Sequence, residues 1–278
     1  MHPAQTAQEL QAEIETLRPI VDAIQIGDNE KAEGHIAPLA AASLVLGCDV
    51  DPIIHLSCRD RNRIALQSEV LGAAAIGATS LLLKRGNKLP SSFRGRVKSV
   101  FDTKATQLLA TAARVRESSR MESAKNLFFG AHVTIIGAGE DWQAEGVIEK
   151  IDSGAGFLQT RPCLDESLLG TYVARLVSLK IPHRATLIVG APLITSPAEA
   201  RSLMERYPDI KIPNTVMERL AQAGNARSEG INILAGFLEV LFEIPGVGGA
   251  AIYYERDVEA VVEAVNRARS GTAHNDVG

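Results

Sequence analysis

Short, continuously apolar runs alternate with longer helical segments along almost the whole chain. A strand that is apolar at every position is one covered by helices on both faces, which marks a parallel α/β sheet rather than a half-solvated antiparallel one. The pattern predicts strands over 21–26, 53–57, 80–83, 127–136, 156–161, 186–189 and 249–253. It predicts helices over 6–17, 38–46, 61–76, 102–117, 142–152, 165–179, 197–206, 213–222, 229–242 and 257–268. Each strand is followed by at least one helix. Such alternation over 278 residues favours a (β/α)8 TIM-type barrel over an open doubly wound sheet. The strand count is seven and a helix comes first, so the barrel is expected to be incomplete at the N-terminus, short of its first strand. No linker, low-complexity stretch or fixed-period repeat interrupts the pattern. Residues 1–270 are therefore expected to form one barrel domain, with a fraying polar tail over 271–278.

Composition narrows the function. Aromatic residues make up only 4% of the chain, too few for base-stacking platforms, and the net charge of −4 offers no electrostatic footprint for nucleic acid. Apolar runs such as Gly72–Gly77 and Leu81–Leu83 fall far short of the ~20 residues a membrane span needs. The start, Met1-His2-Pro3-Ala4-Gln5, has neither the basic nor the apolar region of a signal peptide, so a cytoplasmic protein is expected. Cys48, Cys58 and Cys163 stand at no metal-binding or redox spacing and are read as three buried, reduced thiols; no metal site is expected.

In a barrel, function gathers where the strands end and the βα loops converge. Polar residues recur there: Asp28-Asn29, Ser57-Cys58-Arg59-Asp60, Lys84-Arg85-Gly86-Asn87, His132 and Thr134, Gln159-Thr160-Arg161, and Tyr253-Tyr254-Glu255-Arg256. His55, Gln159 and Arg161 lie within strand runs, where a polar side chain needs a partner or a ligand. Arg59-Asp60-Arg61-Asn62-Arg63 opens a helix. It reads either as an anion site or as a cap by Asp60 with arginines paired to nearby carboxylates. The loop from Arg85 to Lys98 holds Lys88, Arg94 and Arg96 and no acidic residue, so it reads as a solvated basic loop or a phosphate clamp. Gly137-Ala138-Gly139-Glu140-Asp141-Trp142 lacks the final glycine of a dinucleotide fingerprint. Pro245-Gly246-Val247-Gly248-Gly249 reads as a tight turn, and His183 as an exposed loop residue.

One series of motifs carries a resemblance. Asp28-Asn29, His35-Ile36-Ala37-Pro38-Leu39-Ala40 and the run from Pro52 through His55-Leu56-Ser57-Cys58-Arg59-Asp60-Arg61-Asn62-Arg63 to Gln67 resemble the methylenetetrahydrofolate reductase family, in its shorter bacterial branch. The similarity continues through Gly77–Asn87, Val100-Phe101-Asp102, Lys150–Arg161 and Gly230–Gly249. The resemblance implies a barrel that holds FAD at the strand ends. Its reaction takes a hydride from NAD(P)H through the flavin to 5,10-methylenetetrahydrofolate and yields 5-methyltetrahydrofolate, in one-carbon metabolism and methionine biosynthesis. Strand-end position and resemblance together assign Asp28, Asn29, His55, Arg85, Gly86, Asn87, His132 and Lys150 to the cofactor. They assign Gln159, Arg161 and Arg256 to the folate.

Three departures from the family pattern stand out. The family's catalytic glutamate belongs to the first strand, which the count does not find, so no catalytic residue is assigned. An acidic residue that follows Arg-Gly in the family is Asn87 here, and its glutamine after Thr160 is Arg161. Glutamine both donates and accepts hydrogen bonds, whereas arginine only donates and brings charge, which suits an anionic ring or carboxylate. Glu255 is a substitute acid by position, though it reads as solvent-exposed. Two other readings stay open: a non-catalytic or partner-dependent subunit that binds folate or another enzyme, and a flavin-independent one-carbon enzyme on the same barrel. Self-association or a partner subunit would fit the former.

Overall fold

In the computed structural model, which describes residues 6–28, 34–89, 97–207, 209–210 and 212–275, the apolar runs form parallel strands and the segments between them form helices. The chain forms two compact units, residues 1–132 with 146–156 and residues 133–145 with 157–278.

The first unit carries β1 (Ala23–Ile26), β2 (Asp51–Ser57), β3 (Ser80–Lys84) and β4 (Phe128–Val133). They pair in parallel in chain order, with Ile26 beside Ile54, Ser57 beside Lys84 and Leu82 beside Gly130. Ile54, Leu56, Leu81, Leu82, Leu83 and Phe129 are fully buried, as strands covered on both faces require. The cover comes from α1 (Ala7–Leu17), α2 (Pro38–Gly47), α3 (Arg63–Ala75), α4 (Ala105–Ser118) and α5 (Glu145–Asp152), with a short 3-10 turn at Glu122–Asn126. Thr6 and Glu9 close a capping box at the start of α1. Helix α3 starts two residues later than the sequence indicates. Its cap is Asn62, whose Oδ1 accepts from the Ala65 N–H, because Asp60 is engaged by Arg59 instead.

The second unit carries β5 (Phe157–Pro162), β6 (Thr186–Pro192) and β7 (Val247–Tyr253), again parallel and in chain order. Around them lie α6 (Glu166–Ser178), α7 (Pro197–Arg206), α8 (Asn214–Gln222), α9 (Ala226–Glu243) and α10 (Val258–Asn275). His183 sits in a 3-10 turn, Ile181–His183, and is exposed. Gly248 and Gly249 are strand residues, not a turn. A Cβ on Gly248 would fall 2.3 Å from the Thr186 methyl group, so the strand needs glycine there, while Gly246 at φ +97° makes the turn. The helix expected from 142 starts at Glu145, since Trp142 packs on Tyr172 and its carbonyl accepts from Arg175 Nε. Helix α9 starts at Ala226, capped by Asn225. Helix α10 runs on to Asn275 through much of the expected tail. Gly271 permits this, for a Cβ there would meet the Glu239 carboxylate at 2.3 Å.

Cys58 and Cys163 are buried and Cys48 only half-buried, a correction to the reading of three buried thiols. Burial pushes the Cys58 and Cys163 thiols up to about 11. No described helix is long and apolar enough to cross a membrane. No group of three or more His, Cys, Asp or Glu side chains among the described residues could hold a metal.

Candidate functional site

Side chains on alternate strand positions share a face. In the first unit that period brings together Gln25, His55, Ser57 and Lys84 toward the ends of β1–β3. His55 Nε2 lies 3.1 Å from Gln25 Oε1, and its Nδ1 lies 3.3 Å from Lys84 Nζ. An ammonium can only donate and the amide oxygen can only accept, so the ring carries its proton on Nε2. The His132 ring meets His55 edge-on at 6.0 Å. Ser57 Oγ is buried and has no hydrogen-bond partner among the described residues.

Asp28 is almost fully buried and anchors the ends of β1 and β2. Its carboxylate accepts the Ser57 N–H at 2.6 Å and two bonds from Arg61, at 2.8 and 2.9 Å. Glu69 flanks Arg61 at 3.4 Å. Burial works against the Arg61 charge, but Asp28, Glu69 and Asp60 outweigh it and hold the guanidinium above its ordinary value. Arg59 is buried against Asp60, and Arg63 contacts Asp102. The arginine run therefore pairs with carboxylates, and the cap expected at Asp60 belongs to Asn62.

Arg85 is exposed and lies over the Phe101 ring at 5.0 Å. Gly86 has φ +85°, and a Cβ there would stand 3.0 Å from Arg59 Cβ and 3.1 Å from Ser57, so glycine keeps this loop close to β2. Asn87 follows, half-buried. Lys150, in the last turn of α5, has a lowered pKa because burial disfavours its charge more than Glu149 favours it. Asn29, Arg94 and Arg96 lie outside the described residues.

The second unit assembles a separate cluster. Gln159 is fully buried and donates from Nε2 to Tyr253 Oη at 3.0 Å. Arg161 pairs through Nε with Asp209 Oδ2 at 3.1 Å and lies 5.4 Å over the Tyr207 ring, which meets Tyr253 edge-on. Thr134 Oγ1 donates to the same Oδ2 at 3.3 Å. Glu255 is paired with Arg206 rather than free in solvent, which corrects the sequence reading. Arg256 is exposed.

Sequence reasoning missed Gln25, Tyr207 and Asp209. Gln25 carries the signal that singled out His55, a polar residue inside an apolar strand run. Tyr207 and Asp209 follow α7 in an irregular segment, where no periodicity marks them.

A family profile described as methylenetetrahydrofolate reductase matches residues 4–244. No curated protein matches the chain by sequence. Among solved structures, an uncharacterized protein from Clostridium thermocellum that binds two copies of 5-methyl-5,6,7,8-tetrahydrofolic acid superposes with a TM-score of 0.63 at 14% identity, over 96% of this chain and 90% of that one. A fungal β-1,4-galactanase gives 0.52 at 14% identity, over 88% and 80%. A thermostable aldo-keto reductase gives 0.53 at 12% identity, over 94% and 82%. At such low identity these likenesses show the fold alone, an α/β architecture of the TIM-barrel type in which seven strands are described here. With the profile spanning most of its length, the chain belongs to the methylenetetrahydrofolate reductase family.

Proposed function

We propose that this protein binds a reduced folate and, with FAD, acts as a cytoplasmic methylenetetrahydrofolate reductase, passing a hydride from NAD(P)H to 5,10-methylenetetrahydrofolate. The observation that carries the reading is the family match over residues 4–244, on a chain whose strands carry buried polar side chains toward their ends: His55, Ser57 and Lys84 in one unit, Gln159 and Thr160 in the other. FAD suits the donors of the first unit. Ser57 Oγ is an orphaned polar atom there, and Lys84, Arg85 and Lys150 supply cations for an electron-rich ring edge and a diphosphate. When bound, FAD supplies the hydride chemistry. The chain's own residues do the rest. His55 is held in one tautomer by Gln25 and Lys84, Phe101 restrains Arg85, and Gly86 lets the loop that carries Asn87 lie close to β2. Gln159 and Arg161 offer hydrogen bonds to the folate, and Arg256 a charge.

A second reading, a folate-binding subunit without reductase activity, is favoured by one observation. Asp28, Asp209 and Glu255 are each ion-paired to an arginine, so none of the three stands as an unengaged acid beside these clusters. The readings part on purification. The reductase should carry, or take up on addition, a yellow flavin and oxidise NADH or NADPH with methylenetetrahydrofolate present. A colourless chain that binds 5-methyltetrahydrofolate in a calorimeter, takes up no FAD and oxidises neither nucleotide would refute the first reading and support the second.

A further inference from the structure

The second unit spends several residues on placing one side chain. Strands β5 and β6 run in register to Gln159, opposite Ile188. The next pair is Pro162 opposite Gly190, so β5 holds one residue more than β6 in this interval. Such a bulge re-aims side chains and is favoured beside active sites. This bulge is fixed from both strands. The Gly190 N–H donates to Thr160 Oγ1 at 2.8 Å, and Thr160 Oγ1 donates to the Arg161 carbonyl at 2.9 Å. A Cβ on Gly190 would come within 2.9 Å of the Arg161 carbonyl carbon and oxygen.

The residue delivered is Arg161, and what it meets is Asp209. Both Arg161 Nε and Thr134 Oγ1 bond to Oδ2 of that carboxylate. Oδ1 has no hydrogen-bond partner among the described residues, and the Asp209 side chain is 37% exposed. Among the described residues Asp209 is thus fixed at one oxygen and open at the other. Arginine can only donate and carboxylate can only accept, so together they present both functions with no net charge. A 2-amino-4-oxopyrimidine ring has the complementary edge, N–H donors at the 2-amino group and N3 beside a carbonyl acceptor.

We propose that Asp209, positioned by Arg161 and Thr134, recognises the N–H edge of the 2-amino-4-oxopyrimidine ring of a folate. The assignment rests on the folate reading above and has Arg161 both hold Asp209 in place and donate to the ring carbonyl, rather than receive an anionic ligand. It is tested by measuring Kd, in a calorimeter, for 5-methyltetrahydrofolate and for the analogue with a methyl group in place of the 2-amino group. The wild type should prefer the parent by about 10- to 100-fold, the range for a hydrogen bond to a charged group. Asp209→Asn should lose most of that preference while its affinity for the analogue stays near wild type, which also reports an intact fold. Arg161→Gln should lower the preference, and Thr134→Val should lower it by about two- to threefold, the smaller effect of a side chain that only orients the carboxylate. An undiminished preference in Asp209→Asn overturns the proposal. If that variant does not fold, an undiminished preference in Thr134→Val overturns it. A wild type that binds parent and analogue equally refutes this assignment alone, whereas one that binds neither refutes the folate reading with it.

Discussion

Replacing Asp28 by Ala removes the acceptor of three contacts at once: the Ser57 N–H at 2.6 Å and Arg61 at 2.8 and 2.9 Å. Two costs follow. The Ser57 N–H is left in a fully buried place without an acceptor, at about 1–3 kcal/mol. Arg61 loses its nearest counter-charge; breaking a buried pair costs about 3–5 kcal/mol in full, but this side chain is 18% exposed and keeps Glu69 at 3.4 Å. A total of about 3 kcal/mol is expected. With an m-value at the upper end of roughly 1–3 kcal/mol/M, the urea midpoint should fall by about 1 M. The decisive measurement is the cycle with Arg61→Ala. That variant strands a carboxylate that is 1% exposed, so the two single losses overlap and the double variant should recover about 2 kcal/mol of their sum. Strict additivity, or a loss under about 1 kcal/mol in Asp28→Ala, would show that the pair does not fix the strand ends. Fluorescence and circular dichroism must agree on the midpoint, because two compact units need not unfold together.

Gly190→Ala places a Cβ 2.9 Å from the backbone of Arg161 and Pro162, so it should cost about 1–3 kcal/mol in thermal unfolding, and an unchanged Tm would contradict the fixed bulge. Cys58 has its thiol pushed up to about 11 against 9.0 unperturbed, so its contribution is complete below pH 9 and is lost as pH rises from 9 toward 11, where the unfolded thiol ionises first. Stability of Cys58→Ala should fall less over that interval; a parallel decline in both proteins would remove Cys58 as the cause.

How much of this was legible beforehand depends on whether a position speaks through periodicity or through distant partners. All seven described strands follow from apolar runs; in β2–β6 this is the signal of parallel strands covered on both faces, whereas β1 and β7 are apolar yet only partly buried. Helix starts were less legible. Asp60 and Asn62 are both good caps, and the choice between them falls to Arg59, whose buried guanidinium claims Asp60. His55 and Gln159 announced themselves as polar groups inside apolar strands, and each proves to have a side-chain partner far along the chain, Gln25 and Tyr253. Asp209 could not be read. Its meaning comes from Arg161, 48 positions earlier, and from a one-residue irregularity in β5 that no period predicts.

That irregularity also bears on how this chain is compared with its relatives. A bulge is a matter of length. In a relative whose β5 lacks the extra residue, every position beyond Gln159 would be displaced by one, and strand faces invert with each such step. The residue that stands where Arg161 stands in an alignment need not be the one that stands there in space. Replacing the side chain at 161 alters chemistry at a fixed address, whereas losing one residue between Gln159 and Pro162 would change the address itself, and with it which side chain could reach Asp209.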